Sequence, residues 1–142
     1  MQKTILYCRK STESDERQVQ SLDDQISEMK EFVTRFNTGL ARTPDDQLKL
    51  ISTKTESFSA KMCGRRKVFN EVMTEVENGQ CDCILVWSID RLSRNVGDVE
   101  RVIALLECGL LKQIRTPSQE FKNEPFHKYM LVQAVANAKL EK

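Results

Sequence analysis

Residues 83–94 read Cys83-Ile84-Leu85-Val86-Trp87-Ser88-Ile89-Asp90-Arg91-Leu92-Ser93-Arg94, an apolar run that passes directly into a charged one. The apolar run from Cys83 to Trp87 is typical of a parallel strand that is buried on both faces. Helical spacing of apolar residues precedes the run, from Arg66 to Val76, and a second helical segment follows, from about Asn95 to Glu107. Helices on both sides of a buried strand indicate an α/β fold.

The same alternation of strands and helices extends along the chain. Thr4 to Cys8 predicts a first buried strand, and apolar positions at helical spacing follow it from Val19 to Val33. Asn37-Thr38-Gly39 ends that helix, and a second strand is predicted near Leu48 to Ser52. Leu111 to Thr116 predicts a fourth strand. We therefore expect a three-layer α/β fold, with helices flanking a mostly parallel sheet of about four to five strands.

The last helix differs from the others in its apolar pattern. Pro125 stands at the first helical position, where proline is tolerated, and apolar residues from Phe126 to Leu140 spread over more than one face. One domain surface cannot cover all of them. No glycine or asparagine cap follows Leu140, so we expect a helix cut short and divide the chain into a domain at 1–124 and a helix at 125–142.

Size and charge narrow the classes of function. The 142 residues fit one domain, and 22 basic against 21 acidic residues leave a net charge of +1. This balance excludes the strongly basic character of a protein that binds DNA through charge alone, so any DNA contact must be local. The N-terminus lacks a signal-peptide pattern and no apolar run is long enough to span a membrane, so we expect a cytoplasmic protein with no membrane partner.

The cysteines and the single histidine are not spaced like the ligands of a metal site. The five cysteines form no repeated Cys-x-x-Cys pattern, and His127 is distant from them in sequence, which argues against a zinc site. We expect reduced, partly buried thiols, no metal and no cofactor.

Two polar motifs follow predicted strands and are expected to meet. Ligands of parallel α/β sheets bind outside the carboxyl ends of the strands, where both Tyr7-Cys8-Arg9-Lys10-Ser11 and Asp90-Arg91-Leu92-Ser93-Arg94 lie. In an extended segment Tyr7, Arg9 and Ser11 project to one side. Together the motifs supply a serine hydroxyl, a carboxylate and several guanidinium groups, whose planar forks suit the paired oxygens of a phosphate. We expect Arg91 and Arg94 to be exposed.

Each motif alone has a purely structural interpretation. A serine after a strand is most often a turn or N-cap residue, and Asp90 with Arg91 and Arg94 would suit an ordinary helix start. From position alone, both interpretations stay open.

Four motifs in order resemble the catalytic domain of serine site-specific recombinases, the resolvase/invertase family. They are Tyr-x-Arg-x-Ser at 7–11, Ser21-Leu22-Asp23-Asp24-Gln25, Glu56-Ser57-Phe58-Ser59, and Asp-Arg-Leu-Ser-Arg at 90–94. The resemblance runs from about Ile5 to the C-terminus. It implies that Ser11 attacks a DNA phosphodiester to form a phosphoseryl linkage, followed by strand exchange and religation.

The resemblance also implies roles for other residues. Arg9, Arg91 and Arg94 match the active-site arginines, and Asp90 matches the active-site aspartate. Arg66 matches a further arginine by its spacing to Phe69, although Arg65 is favoured when counting from Ser59. Supporting or phosphate-binding roles are expected for Tyr7, Gln25, Glu56, Ser59 and Arg65, with a solvated helix position as the alternative for Gln25. Glu56 and Ala60 depart from the aspartate and glycine usual in the family.

The partners expected from the resemblance are double-stranded DNA and further copies of the chain. It implies a homodimer that forms a tetramer at synapsis, with 125–142 as the start of an oligomerisation helix and a DNA-reading region absent from this chain. It implies a prokaryotic, phage or mobile-element origin, no metal, no cofactor and no small-molecule substrate. The general acid and base are left open.

Three other functions are alternatives to a site-specific recombinase. A low-molecular-weight phosphatase would use a cysteine after the first strand, but Ser14 stands where its arginine should follow Cys8. A catalytically inactive dimerisation module would keep the fold without the chemistry. A serine transposase would use the same chemistry with looser target choice.

Overall fold

The computed structural model of the protein describes residues 1–9, 22–39, 43–56, 67–93 and 95–140, with side chains described up to residue 137. Its strands within this part of the chain form one sheet in the order β2-β1-β3-β4-β5. The strands are β1 (Gln2–Arg9), β2 (Leu48–Glu56), β3 (Cys83–Leu85), β4 (Gln113–Arg115) and β5 (Glu120–Phe121). The first four are parallel and β5 pairs antiparallel with β4. The predicted mostly parallel α/β fold is confirmed.

Helices cover both faces of the sheet. They are α1 (Leu22–Asn37), α2 (Lys67–Glu77), α3 (Ile89–Leu92), α4 (Val96–Glu107) and α5 (Pro125–Leu140), and a 3₁₀ turn spans Pro44–Asp46. Alternate side chains of β1 point to opposite faces, so Leu6 packs with α1 whereas Ile5 packs with α2, α4 and α5. The predicted three layers are therefore present.

The inner strands explain the apolar runs in the sequence. β1 is buried from Thr4 to Arg9, and every residue of β3 is buried. The prediction that the third strand reaches Trp87 was two residues too long, because the chain leaves the sheet after Leu85 and the Trp87 side chain is 37% exposed. Its place beyond the strand puts Trp87 on the surface near the start of α3.

The edge strand β2 is longer than predicted and continues to Glu56. A register shift lies between Thr4 and Ile5 of β1, where Ile51 is the extra residue of β2. Beyond it Glu56 pairs with Arg9. The extra length places the Glu56 carboxylate at the same edge of the sheet as the end of β1.

Two helices end at glycines. Gly79 after α2 and Gly109 after α4 have φ angles of 77° and 84°, a left-handed conformation that side-chain-bearing residues rarely adopt. Both glycines therefore end a helix and turn the chain back towards the sheet.

Helix α5 is apolar on two faces, as predicted. Leu131 and Val135 are buried in the core on the α2–α4 side of the sheet. Phe126, Tyr129 and Val132 are exposed by 68%, 57% and 40%. Within the part of the chain that the structure describes, no helix combines the length and hydropathy needed to cross a membrane.

Candidate active site

The end of β1 is hydrogen-bonded to α3, so the two predicted motifs meet. Arg9 donates from Nε to the carbonyl oxygen of Arg91, at 3.3 Å, and from Nη2 to the carbonyl oxygen of Asp90, at 3.1 Å. A four-residue helix cannot pair its last carbonyl groups internally, and Arg9 supplies donors for two of them. Arg9 therefore fixes the position of α3 relative to the central strand.

The expectation of an exposed Arg91 was wrong, and Arg9 is buried as well. Arg9 is 1% exposed and Arg91 is 8% exposed. Both are buried because α3 packs directly onto the end of β1. The sequence does not reveal this burial, since a charged side chain after a strand is usually solvated.

Arg91 carries a buried donor on α3. Its Nη1 is shielded from solvent and has no hydrogen-bond partner among the described residues. Leaving a buried charged donor unpaired costs free energy that an anion bound at the same place would recover. The arrangement thus favours an oxyanion such as a phosphate oxygen near Arg91.

Asp90 is oriented by a residue that sequence reasoning missed. The Ser88 hydroxyl donates to Asp90 Oδ1 at 2.5 Å, and both residues are half-buried. The signal available in the sequence was the Ser-x-Asp spacing just before a helix, a pattern in which the two side chains readily bond.

Glu56 links three elements at the same edge. Its Oε1 accepts a hydrogen bond from the Tyr7 hydroxyl at 2.5 Å. Both carboxylate oxygens also accept main-chain N–H groups at the start of α2, from Val68 at 2.9 Å and Phe69 at 3.2 Å. These are N–H groups that a helix cannot pair internally, so Glu56 caps α2. Because α2 begins at Lys67, this cap also anchors the chain directly after Arg66.

A polar cluster fixes the chain on both sides of residue 94. The Ser93 hydroxyl accepts the Asn95 N–H at 3.0 Å and lies 3.2 Å from Asp98 Oδ2. Asn95 caps α4 by accepting the Asp98 N–H at 3.0 Å. The main chain that leads from α3 into α4 is thereby held at both ends.

Of the remaining predicted site residues, Gln25 is described by the structure and five others are not. Gln25 is 1% exposed on α1, so the alternative of a solvated glutamine was wrong. Ser11, Ser59, Arg65, Arg66 and Arg94 lie outside the described residues. The choice between Arg65 and Arg66 therefore stays a prediction.

The chemistry of Cys8 argues against a phosphatase. Cys8 is 1% exposed, and burial raises the pKa of its thiol to about 11. A phosphatase nucleophile must be an accessible thiolate. Burial likewise raises the pKa of Cys81 to about 11 and of Cys83 to about 12. Within the described residues, no three metal-ligating side chains cluster.

Comparison with known proteins gives the family and the fold of the chain. The model of the family described as resolvase, N-terminal domain, matches residues 4–141. The N-terminal catalytic domain of TP901-1 integrase is 20% identical, with a TM-score of 0.67 over 98% of this chain and 95% of that one. A resolvase family site-specific recombinase from Streptococcus pneumoniae is 21% identical, with a TM-score of 0.63 over 99% and 89%.

A third similar structure is the C-terminal catalytic domain of ISC1926 TnpA, an IS607-like serine recombinase. It is 20% identical, with a TM-score of 0.60 over 90% of this chain and 75% of that one. With the family match covering nearly all of its length, the chain belongs to the resolvase family and has the fold of a serine recombinase catalytic domain.

Proposed function

We propose that this chain is the catalytic domain of a recombinase that cuts and rejoins DNA through a covalent serine intermediate. Arg91 provides the main support, because its buried Nη1 has no acceptor among the described residues and lies in the motif held against β1 by Arg9. Ser11 follows Arg9 by two residues, a separation that the chain spans over at most about 7 Å. Arg9, Arg91 and Asp90 lie at one edge of the sheet, and the proposal assigns Ser11 to the same edge.

The proposed reaction is a pair of transesterifications. The Ser11 hydroxyl oxygen bonds to phosphorus, the bond from phosphorus to one deoxyribose oxygen breaks, and the proton lost by serine balances the proton gained by the released sugar hydroxyl. A sugar hydroxyl of another cut strand then attacks the phosphoserine, which restores a phosphodiester and frees Ser11. Each step exchanges one ester bond for another, so rejoining requires no external energy source.

Guanidinium groups would stabilise the negative charge that develops on the phosphate oxygens. A donor that is already buried and oriented needs no reorganisation when this charge appears, which is the condition for strong electrostatic catalysis. Arg91 meets this condition among the described residues, and the proposal assigns Arg94 and Arg66 to the same phosphate.

Double-stranded DNA and a second copy of the chain are the proposed partners. The net charge of +1 provides little long-range attraction to DNA, so we expect this chain alone to bind duplexes with a dissociation constant of about 10⁻⁴ to 10⁻⁶ M and little sequence preference. The exposed apolar side chains of Phe126, Tyr129 and Val132 suit a homodimer contact along α5, and pairing of two dimers would give the tetramer.

Covalent capture tests the proposed function without knowledge of the target site. The purified protein is incubated with a library of random duplexes, denatured in detergent, and passed through a filter that retains only protein-linked DNA. We expect retained DNA that protease treatment releases. The protein concentration is set high enough that the duplexes are bound before the detergent is added. If no DNA then stays attached to the protein after denaturation, the proposal is contradicted.

A further inference from the structure

The hydroxyl of Ser88 is directed at a candidate catalytic carboxylate instead of at the helix that Ser88 precedes. Ser88 occupies the N-cap position of α3 with an extended backbone, at φ −157° and ψ 163°. A serine at this position usually accepts a main-chain N–H from the first turn of its helix. Here the side chain makes no such capping bond and donates to Asp90 Oδ1 instead.

The start of α3 does not need the Ser88 hydroxyl. The Arg91 N–H donates to the Ser88 carbonyl oxygen at 3.0 Å, which pairs this part of the first turn through the main chain. The hydroxyl is therefore available for Asp90. A hydrogen bond from a hydroxyl to an ionised carboxylate is charge-assisted and stronger than one between neutral groups.

Asp90 is thereby held at both its main chain and its side chain. Arg9 binds the carbonyl oxygen of Asp90, which fixes the backbone, and Ser88 binds Oδ1, which sets the direction of both carboxylate oxygens. A half-buried aspartate without such a partner would sample several side-chain rotamers. Holding a reacting group within a narrow range of geometries is one way in which an enzyme lowers the activation barrier.

We propose that Ser88 is a positioning residue for the strand-cleavage reaction, acting by orienting the Asp90 carboxylate beside the phosphate. This inference rests on the proposed function. It predicts that the Ser88 hydroxyl affects the rate of the chemical step and leaves DNA binding unchanged, because this hydroxyl donates to Asp90 and the proposal gives it no contact with DNA.

Alanine and threonine variants of Ser88 separate the hydroxyl from the packing of the side chain. Loss of a hydrogen bond to a charged group corresponds to about a tenfold to hundredfold change in rate, so Ser88→Ala should slow covalent adduct formation by that factor in single-turnover measurements. Ser88→Thr keeps the hydroxyl and should stay within about threefold of the unmodified protein. DNA affinity should be the same for all three proteins.

Ser118→Ala is the matched control, because Ser118 is an exposed serine in the loop between β4 and β5. It should leave the rate unchanged. Thermal unfolding of each variant reports whether the fold is intact.

The outcomes distinguish the two levels of the proposal. If the unmodified protein forms no adduct, the proposed function is overturned and the role of Ser88 with it. If the unmodified protein forms the adduct and Ser88→Ala forms it equally fast, only the role of Ser88 is overturned. Equal impairment of Ser88→Ala and Ser88→Thr, or a loss that follows the decrease in melting temperature, would assign Ser88 to packing and also overturn its positioning role.

Discussion

Arg9 Nη2 donates a hydrogen bond to the main-chain carbonyl oxygen of Asp90 at 3.1 Å, which joins the end of β1 to α3. This contact brings together two motifs that are about eighty residues apart in the sequence. It also gives Arg9 a structural function, because two of its donors bind the main chain of α3.

Replacing Arg9 by lysine should destabilise the fold. Lysine cannot reproduce the two directed hydrogen bonds, so two carbonyl groups of α3 lose their partner and a charge stays buried. We expect the free energy of unfolding in urea to fall by about 2 kcal/mol or more. Arg35→Lys is the control, because Arg35 is 70% exposed and its pair with Glu31 contributes little. If Arg9→Lys lowers the free energy of unfolding as little as the control does, the two hydrogen bonds from Arg9 do not stabilise α3.

Replacing Arg91 by lysine should affect the reaction more than the fold. The variant keeps the charge but loses the planar fork, so we expect adduct formation to slow by about a hundredfold to a thousandfold. Because Nη1 has no partner among the described residues, removing it breaks no hydrogen bond there, and the melting temperature should change little.

Arg101→Lys provides the comparison for Arg91. Arg101 lies on α4, contacts Asn70 and Glu77, and has a 37% exposed side chain. Adduct formation by this variant should match that of the unmodified protein. Similar rates for Arg91→Lys and Arg101→Lys would contradict the assignment of Arg91 to the phosphate.

Tyr7 and Glu56 should be energetically coupled. Tyr7→Phe removes the hydroxyl that binds Glu56 Oε1, and Glu56→Gln removes the charge that strengthens this bond and the α2 cap. In a double-mutant cycle on urea unfolding, we expect a coupling free energy of about 1 kcal/mol or more. Tyr129→Phe, at an exposed position on α5, should change stability little. Strictly additive effects of the Tyr7 and Glu56 substitutions would exclude the coupling.

The cysteines should differ sharply in reactivity. Cys108 is exposed, whereas Cys8, Cys81 and Cys83 are buried and have raised thiol pKa values. With a small alkylating reagent at pH 7.5, peptide mass spectrometry should find Cys108 modified long before these three. Early modification of Cys8 in folded protein would restore the possibility of a cysteine nucleophile.

The same pKa values give the sign of a pH effect. Because the folded-state pKa of the Cys8 thiol is raised from 9.0 to about 11, its contribution to stability is complete below pH 9 and is lost as the pH rises through about 11. Urea unfolding at pH 8 and pH 10.5 should therefore show a decrease that is smaller in Cys8→Ala. An equal decrease in both proteins would contradict this assignment.

Hydrophobic patterning was enough to predict the layers of the fold. The apolar runs of β1 and β3 and the helical spacing of α2 reflect burial directly, so they are visible in the sequence. The two-residue strand β5 was not predicted individually, because a pair of residues carries no periodicity. The end of β2 was missed because an edge strand is half-exposed and its apolar pattern is weak.

The site was predicted at the level of motifs and not at the level of contacts. The burial of Arg9 depends on unpaired carbonyl groups of α3, which lie far away in the sequence. The burial of Gln25 could have been predicted from its spacing, since it lies four residues before the buried Met29 on the same face of α1. The Ser88 contact was equally local and was missed because a serine at a helix start is normally a cap.

Mapping the covalent linkage tests the central claim most directly. DNA-linked protein recovered after denaturation is digested with nuclease and protease, and the peptide carrying a nucleotide remnant is sequenced by mass spectrometry. We expect the remnant on the Ser11 side chain. Ser11→Ala should bind DNA normally and form no linkage, because the substitution removes only a hydroxyl. A nucleotide remnant on any other residue, or an adduct formed by Ser11→Ala, would contradict the account.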